Sequence, residues 1–304
     1  MSRPEAESRN AHLPGPGESW TPIRLTRWSG EYLRSKGVEN GRLDAELLLA
    51  RVLNVGRLDL YLQFDRPLRP PELEAFKTLL VRRASREPLQ HLLERTAFRE
   101  IDLRTDARAL IPRPETEILV GEVLAWAGRQ RPGLRGLDVG IGTGAIALSL
   151  LREGPFREMV GTDPSQDALE LARENALSQG LDEQLELRAG PLFEPLHQGE
   201  RFDVVVSNPP YIPEGDRDSL QAEVRDWEPP EALFAGPEGL DVLLPLVGGA
   251  RAFLSPGGLL ATEVGDGQSV DVVRAMEATG AFREIWVRPD LNERERVVLG
   301  VASE

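Results

Sequence analysis

The chain has no cysteine among its 304 residues. That excludes disulfides, thiolate metal sites and a cysteine nucleophile. Histidine is almost as scarce. His12, His91 and His197 are the only three and lie far apart, so no zinc site is expected. No apolar run approaches the roughly 18 residues of a membrane span. The start, Met1-Ser2-Arg3-Pro4-Glu5-Ala6-Glu7, lacks the apolar stretch of a secretory signal. Together these absences predict a cytoplasmic protein with no membrane contact and no metal. What remains is ordinary for a globular chain: 40% hydrophobic and 28% charged residues. The length suffices for one large core and a smaller domain.

Positive charge is short in the larger part of the chain. Residues 96–304 hold 20 Lys+Arg against 37 Asp+Glu, whereas residues 19–95 hold 14 against 10. An acidic catalytic half repels phosphate backbones, so free DNA or RNA is a poor substrate. The mildly basic front half suits an acidic partner, or is simply a solvated helix surface.

Residues 1–18 are rich in Pro and Gly and poor in apolar side chains, and read as a disordered leader. Residues 19–87 have helical periodicity: Leu43, Leu47, Ala50 and Leu53 recur at helical spacing, as do Leu73, Phe76 and Leu80. This predicts a small helical bundle, with Pro71 in the first turn of one helix. Residues 88–114 read as a connector, in which Thr96-Ala97-Phe98 and Ile101-Asp102-Leu103 suggest a hairpin. Thr116 or a neighbour is placed to cap a helix over 118–128. Residues 115–304 then alternate strand and helix. Strands are predicted at 134–139, 159–163, 184–188, 202–207, 257–264, 282–288 and 296–302, with helices including 144–152 and 166–179. The fold class is therefore α/β, a Rossmann-like seven-stranded sheet behind a small N-terminal helical bundle. In such sheets the ligand sits at the carboxyl ends of the strands.

Three motifs occupy those ends. Leu137-Asp138-Val139-Gly140-Ile141-Gly142-Thr143-Gly144 runs from strand to helix. Glycines there allow a ligand to approach the backbone closely. A glycine-rich turn alone is weak evidence, since dinucleotide-binding folds use one too. The acid two residues before the first glycine favours the ammonium of a methionine moiety over a pyrophosphate. Asp163 ends the next strand, where a carboxylate can accept both hydroxyls of a ribose. Its bland alternative, shared with Ser165, is to cap the following helix.

The third motif is Ser207-Asn208-Pro209-Pro210-Tyr211 after the apolar strand Phe202–Val206. An amide nitrogen is a poor nucleophile because its lone pair is delocalised. An enzyme must hold both N–H groups and aim that lone pair at the methyl. The Asn208 side-chain oxygen can accept one hydrogen bond and the Pro209 carbonyl the other. The proline rings stiffen the backbone and offer no competing donor. Tyr211 presents a π-face to a flat substrate and a methylsulfonium cation.

With these residues in view, the chain resembles class I amino-methyltransferases. Asn-Pro-Pro-Tyr occurs both in adenine-N6 methyltransferases and in glutamine-N5 protein methyltransferases. Asp44-Ala45-Glu46-Leu47-Leu48-Leu49-Ala50, Ile111-Pro112-Arg113-Pro114-Glu115-Thr116-Glu117, Glu228-Pro229-Pro230-Glu231-Ala232-Leu233 and Arg294-Glu295-Arg296-Val297-Val298-Leu299 resemble the release factor glutamine methyltransferase family, PrmC/HemK, over residues 20–302. The resemblance implies transfer of methyl from S-adenosyl-L-methionine to the glutamine of the Gly-Gly-Gln loop in class I peptide-chain release factors. It implies that the bundle helps dock the factor; a monomer is expected. It implies that Asp138, Gly140, Ile141, Gly142, Thr143, Gly144, Asp163, Leu192 and Asn208 hold the cofactor. Asn208, Pro209 and Tyr211 would be catalytic. With Pro210, Arg113 and Glu117 they would bind substrate.

One departure stands out: Pro191 sits where the family usually has an acid that meets the adenine amino group. The alternatives are a ribosomal-protein glutamine methyltransferase, an adenine-N6 nucleic-acid methyltransferase, which the acidic catalytic half disfavours, and a cofactor-binding scaffold without catalysis, which the intact tetrapeptide disfavours.

Overall fold

The computed structural model describes residues 19–304; the leader read at 1–18 lies outside them. The chain divides between Leu93 and Glu94 into two compact units.

The first unit is helical: α1 (Pro22–Ser35), α2 (Gly41–Leu53), α3 (Asp59–Leu62), α4 (Pro70–Ala84) and α5 (Leu89–Leu93). Proline opens α1 and α4, where its missing N–H costs nothing. Gly30 and Gly41 let α1 and α2 meet backbone to backbone; a Cβ on Gly41 would lie 2.7 Å from the Gly30 carbonyl oxygen. The core gathers Leu33, Leu48, Leu49, Phe76, Leu80 and Leu92. Of the four residues whose spacing predicts α2, Ala50 is buried, but the inward face is centred on others. Ala45, Leu48 and Leu49 are fully buried, whereas Leu43 is 40% exposed. Apolar residues surround most of α2, so spacing alone cannot choose its inward side.

The second unit opens with the hairpin β1 (Thr96–Phe98) and β2 (Ile101–Leu103), then α6 (Thr116–Ala127). Next come β3 (Leu134–Val139), α7 (Ala145–Glu153), β4 (Phe156–Asp163), α8 (Gln166–Gln179), β5 (Leu185–Ala189) and β6 (Phe202–Ser207). The chain ends with α9 (Ala222–Arg225), α10 (Leu243–Ala250), β7 (Leu254–Glu263), α11 (Ser269–Thr279), β8 (Phe282–Pro289) and β9 (Glu295–Ala302). The seven strands β3–β9 form one sheet in the order β5-β4-β3-β6-β7-β9-β8, parallel except for β9, which runs antiparallel to both neighbours. The central strands are nearly uninterrupted apolar runs because helices cover both faces. The chain winds outward from β3 to β5, then crosses back to place β6 on the other side of β3. That reversal opens a crevice at the carboxyl ends of β3, β4 and β6.

Candidate active site

Two cavities adjoin at those carboxyl ends. The first, about 280 Å³, is walled by Val139–Thr143, Asp163, Leu192 and Asn208–Pro210, with Thr116, Arg108 and Glu231 among its other neighbours. The second, about 330 Å³, is walled by Arg113, Asn208–Ile212, Gln221 and Val224. Asn208, Pro209 and Pro210 belong to both walls. The tetrapeptide is thus a partition between two chambers.

The glycine loop follows from local chemistry. Gly140, Gly142 and Gly144 have φ of 76°, 54° and 85°, the left-handed region a Cβ disfavours. Around Gly140 nothing lies within 4 Å of where a Cβ would stand, which leaves the loop open to a ligand. The Gly140 and Ile141 amides donate to the Thr162 carbonyl at 2.8 and 2.9 Å, tying the loop to β4. The Ile141 side chain covers Gly161, where a Cβ would meet it at 2.2 Å. Asp163 accepts from the Gly142 amide at 3.0 Å and from the Ser165 amide at 2.9 Å. Burial raises its pKa despite those two donors. The helix cap is Ser165, whose hydroxyl accepts from the Ala168 amide, so Asp163 is left on the cavity wall.

Three residues expected at the site line neither cavity: Gly144, which is the N-cap of α7, Asp138 and Glu117. Asp138 is fully buried beneath the loop and outside both cavity walls. One of its oxygens accepts from the Ala147 amide at 3.1 Å; the other has no partner. Burial, with Asp163 nearby, pushes its pKa up to about 8. Glu117 accepts from the Arg99 amide at 3.2 Å in the β1–β2 turn and lines neither cavity. Arg113 does line the second cavity, and its guanidinium grips the buried Glu228 at 2.6 and 2.8 Å. Leu192 and Pro191 form an apolar stretch of the first wall, held by the Thr162 hydroxyl donating to the Leu192 carbonyl at 3.0 Å.

The partition itself is braced from behind. Asn208 Nδ2 donates to Thr116 Oγ1 at 3.1 Å, and Thr116 Oγ1 donates to Glu263 at 2.7 Å. The Tyr211 hydroxyl donates to the other oxygen of Glu263 at 3.1 Å. Burial, together with Glu263, raises the phenol's pKa, so it remains a donor. Gln268 Nε2 donates to the Tyr211 carbonyl at 2.9 Å and to the Glu238 and Gly239 carbonyls, closing the loop after β6. No described residue donates to the Asn208 side-chain oxygen or to the Pro209 carbonyl. Two adjacent acceptors therefore remain available on the partition.

Comparison with known proteins agrees with this architecture. Residues 24–93 match the family model of the PrmC N-terminal domain, and residues 116–224 that of the methyltransferase small domain. The release factor glutamine methyltransferase of Geobacter sulfurreducens is 43% identical over 93% of this chain and 97% of its own length. That of Deinococcus radiodurans is 42% identical over 90% and 95%. The chain belongs to the release factor glutamine methyltransferase family. A solved methyltransferase from Pyrococcus furiosus, 17% identical, shares the fold with a TM-score of 0.51 over 68% of this chain and 92% of that one.

For this member of the family, local sequence did not reveal Glu263, Gln268 or the use of Thr116. The expectation is that Thr116 or a neighbour caps a helix over 118–128, and the N-cap position falls to Glu115, with no side-chain cap bond. The helix begins at Thr116 itself, and its hydroxyl turns to Glu263 instead. Glu228 did carry a signal: it opens Glu228-Pro229-Pro230, a rigid segment that holds a carboxylate against Arg113.

Proposed function

We propose that this protein transfers a methyl group from S-adenosyl-L-methionine to the side-chain amide nitrogen of the glutamine in the Gly-Gly-Gln loop of class I peptide-chain release factors. The observation that carries this reading is the pair of available acceptors, Asn208 Oδ1 and the Pro209 carbonyl, on the wall shared by the two cavities. A primary amide has two N–H donors in one plane, and two adjacent acceptors match them.

The first cavity fits the cofactor. It has an open glycine loop for the methionine end, the Asp163 carboxylate for ribose hydroxyls and an apolar wall at Leu192 for the adenine ring. Bound there, S-adenosyl-L-methionine supplies an electrophilic methyl on a cationic sulfur. Asp138 acts indirectly, anchoring β3 to α7 beneath the loop.

The chain's own residues then orient the acceptor. Asn208 and Pro209 each take one N–H of the glutamine amide, which fixes its plane and turns its nitrogen to the first cavity. Tyr211 stiffens that grip through Glu263 and offers its ring to the flat amide. Arg113, clamped by Glu228, borders the entry on the second side. Orientation and electrostatic fit account for the rate, and no strong base is needed before transfer, since the nitrogen can lose its proton afterwards.

Mass spectrometry of release factors incubated with enzyme and cofactor tests the proposal. One added CH₂ should map to the Gly-Gly-Gln glutamine and vanish when that residue is replaced. An unmodified glutamine with the methyl elsewhere would overturn it.

A further inference from the structure

A carboxamide has two ends of nearly equal shape, one an acceptor and the other a double donor. Packing alone therefore cannot decide which end of Asn208 faces the substrate. If Nδ2 faced it, donor would meet donor and the amide could not be held.

The hydrogen bonds behind the partition remove that ambiguity. Glu263, the last residue of β7, is 1% exposed. An ionised carboxylate can only accept, so the single hydroxyl proton of Thr116 is committed to it, at 2.7 Å. The Thr116 oxygen is then left with lone pairs alone, and only Nδ2 of Asn208 can satisfy it, at 3.1 Å. Asn208 Oδ1 must point the other way. The second carboxylate oxygen fixes Tyr211 at 3.1 Å, so one buried acid orients two side chains of the tetrapeptide.

Besides Thr116, the polar and charged neighbours of Glu263 come from three directions. Arg296 of β9 favours its ionised form, Glu115 ahead of α6 opposes it, and Tyr211 donates to it from the loop after β6. Arg113 also acts on Tyr211. Burial outweighs the favourable groups and raises the Glu263 pKa above the usual carboxylate value.

We propose that Glu263, acting through Thr116, is a positioning residue that sets the orientation of the Asn208 amide and so holds its oxygen toward the substrate. This rests on the methyl-transfer reading above. Protonation of Glu263 turns it into a donor. The Thr116 hydroxyl is then released to donate toward Asn208, and the reversed amide no longer accepts the substrate N–H. Turnover therefore falls on the acid side through the titration of Glu263.

The test compares Thr116→Val with Thr116→Ser in the full chain. Thr116→Val should lower kcat about 10- to 100-fold through misorientation, with cofactor Kd within about threefold. Thr116→Ser should keep kcat within about threefold, because it retains the hydroxyl. The acid limb of kcat should persist in Thr116→Ser and disappear in Thr116→Val. Unchanged kcat in Thr116→Val, or a parallel loss of cofactor binding, would overturn the proposal.

A second measurement needs neither turnover nor a folded variant. In ¹⁵N-labelled protein, one Asn208 side-chain N–H should exchange slowly with water and shift as Glu263 titrates. Free exchange of both protons overturns the relay. Failure of the functional reading looks different: the unaltered protein transfers no methyl to any glutamine, while the Asn208 signal still decides the relay.

Discussion

The buried acids of the helical unit and three acids at the carboxyl ends of the sheet are treated in opposite ways. In the helical unit the acids are matched by arginines. Asp44 meets Arg83 at 2.8 Å, Glu87 meets Arg82 at 2.6 Å, and Glu72 is gripped by Arg66 and Arg69. For Glu72, burial works against ionisation, but the hydrogen bonds from Arg69 and Arg66 prevail and hold its pKa at about 2. At the carboxyl ends of the sheet, Asp138, Asp163 and Glu263 are met mainly by backbone amides and hydroxyls, and burial raises all three. Charges that build a bundle are neutralised by a partner. Asp163 and Glu263 keep unspent capacity, which is what a binding or orienting role requires.

Four substitutions would break or sharpen that contrast. The largest effect is expected at the partition. Asn208→Ala should lower kcat by about 10²- to 10³-fold, as loss of a preorganised polar group in a dry site does. Isothermal titration should find its cofactor affinity within a few-fold of the unaltered protein; normal turnover would remove Asn208 from the mechanism.

Next comes the bundle. Asp44→Ala leaves Arg83 buried without its carboxylate and should cost about 3–5 kcal/mol of stability. Denaturant unfolding measures this. A loss below about 1 kcal/mol would place the pair among exposed, weak ones.

The third effect is a matter of pH. The folded Asp138 carboxyl has its pKa raised to about 8, while the unfolded one titrates near about 3.9. A raised carboxyl pKa makes the folded state bind the proton more tightly. The associated stability is full at low pH and is lost as pH rises through that window. Asp138→Asn lacks this titration but can keep the bond from Ala147. Its Tm relative to the unaltered protein should therefore climb from pH 4 to 8. A constant difference would mean that the pKa is not raised.

The smallest effect concerns the adenine wall. Pro191→Asp adds an acceptor for an exocyclic amine and should tighten cofactor binding about threefold or more, the value of one net hydrogen bond. Unchanged affinity would mean that another group already serves the amine.

Strand positions and the glycine loop were legible because their causes are local. An apolar run bounded by turns becomes a buried strand, and glycines at the end of β3 take the left-handed angles that the turn demands. The loop, Asp163, Leu192 and Asn208–Pro210 accordingly share one cavity wall. Legibility failed where two faces competed or where a partner was distant. The inward side of α2 depended on which helices packed around it. Asp138 and Glu117, each one position along an obvious motif, turned to the Ala147 and Arg99 amides rather than to a cavity.

The sequence by itself determined the class of fold, the family and the chemistry available at Asn208-Pro209-Pro210-Tyr211, because periodicity and residue type act over a few neighbours. Only the tertiary structure decided which atoms of that tetrapeptide are spoken for. The carboxylate that engages Thr116 lies 147 residues away. A hydroxyl has one proton to give, and its choice between helix cap and buried acid is made by the fold that brings β7 beside the start of α6.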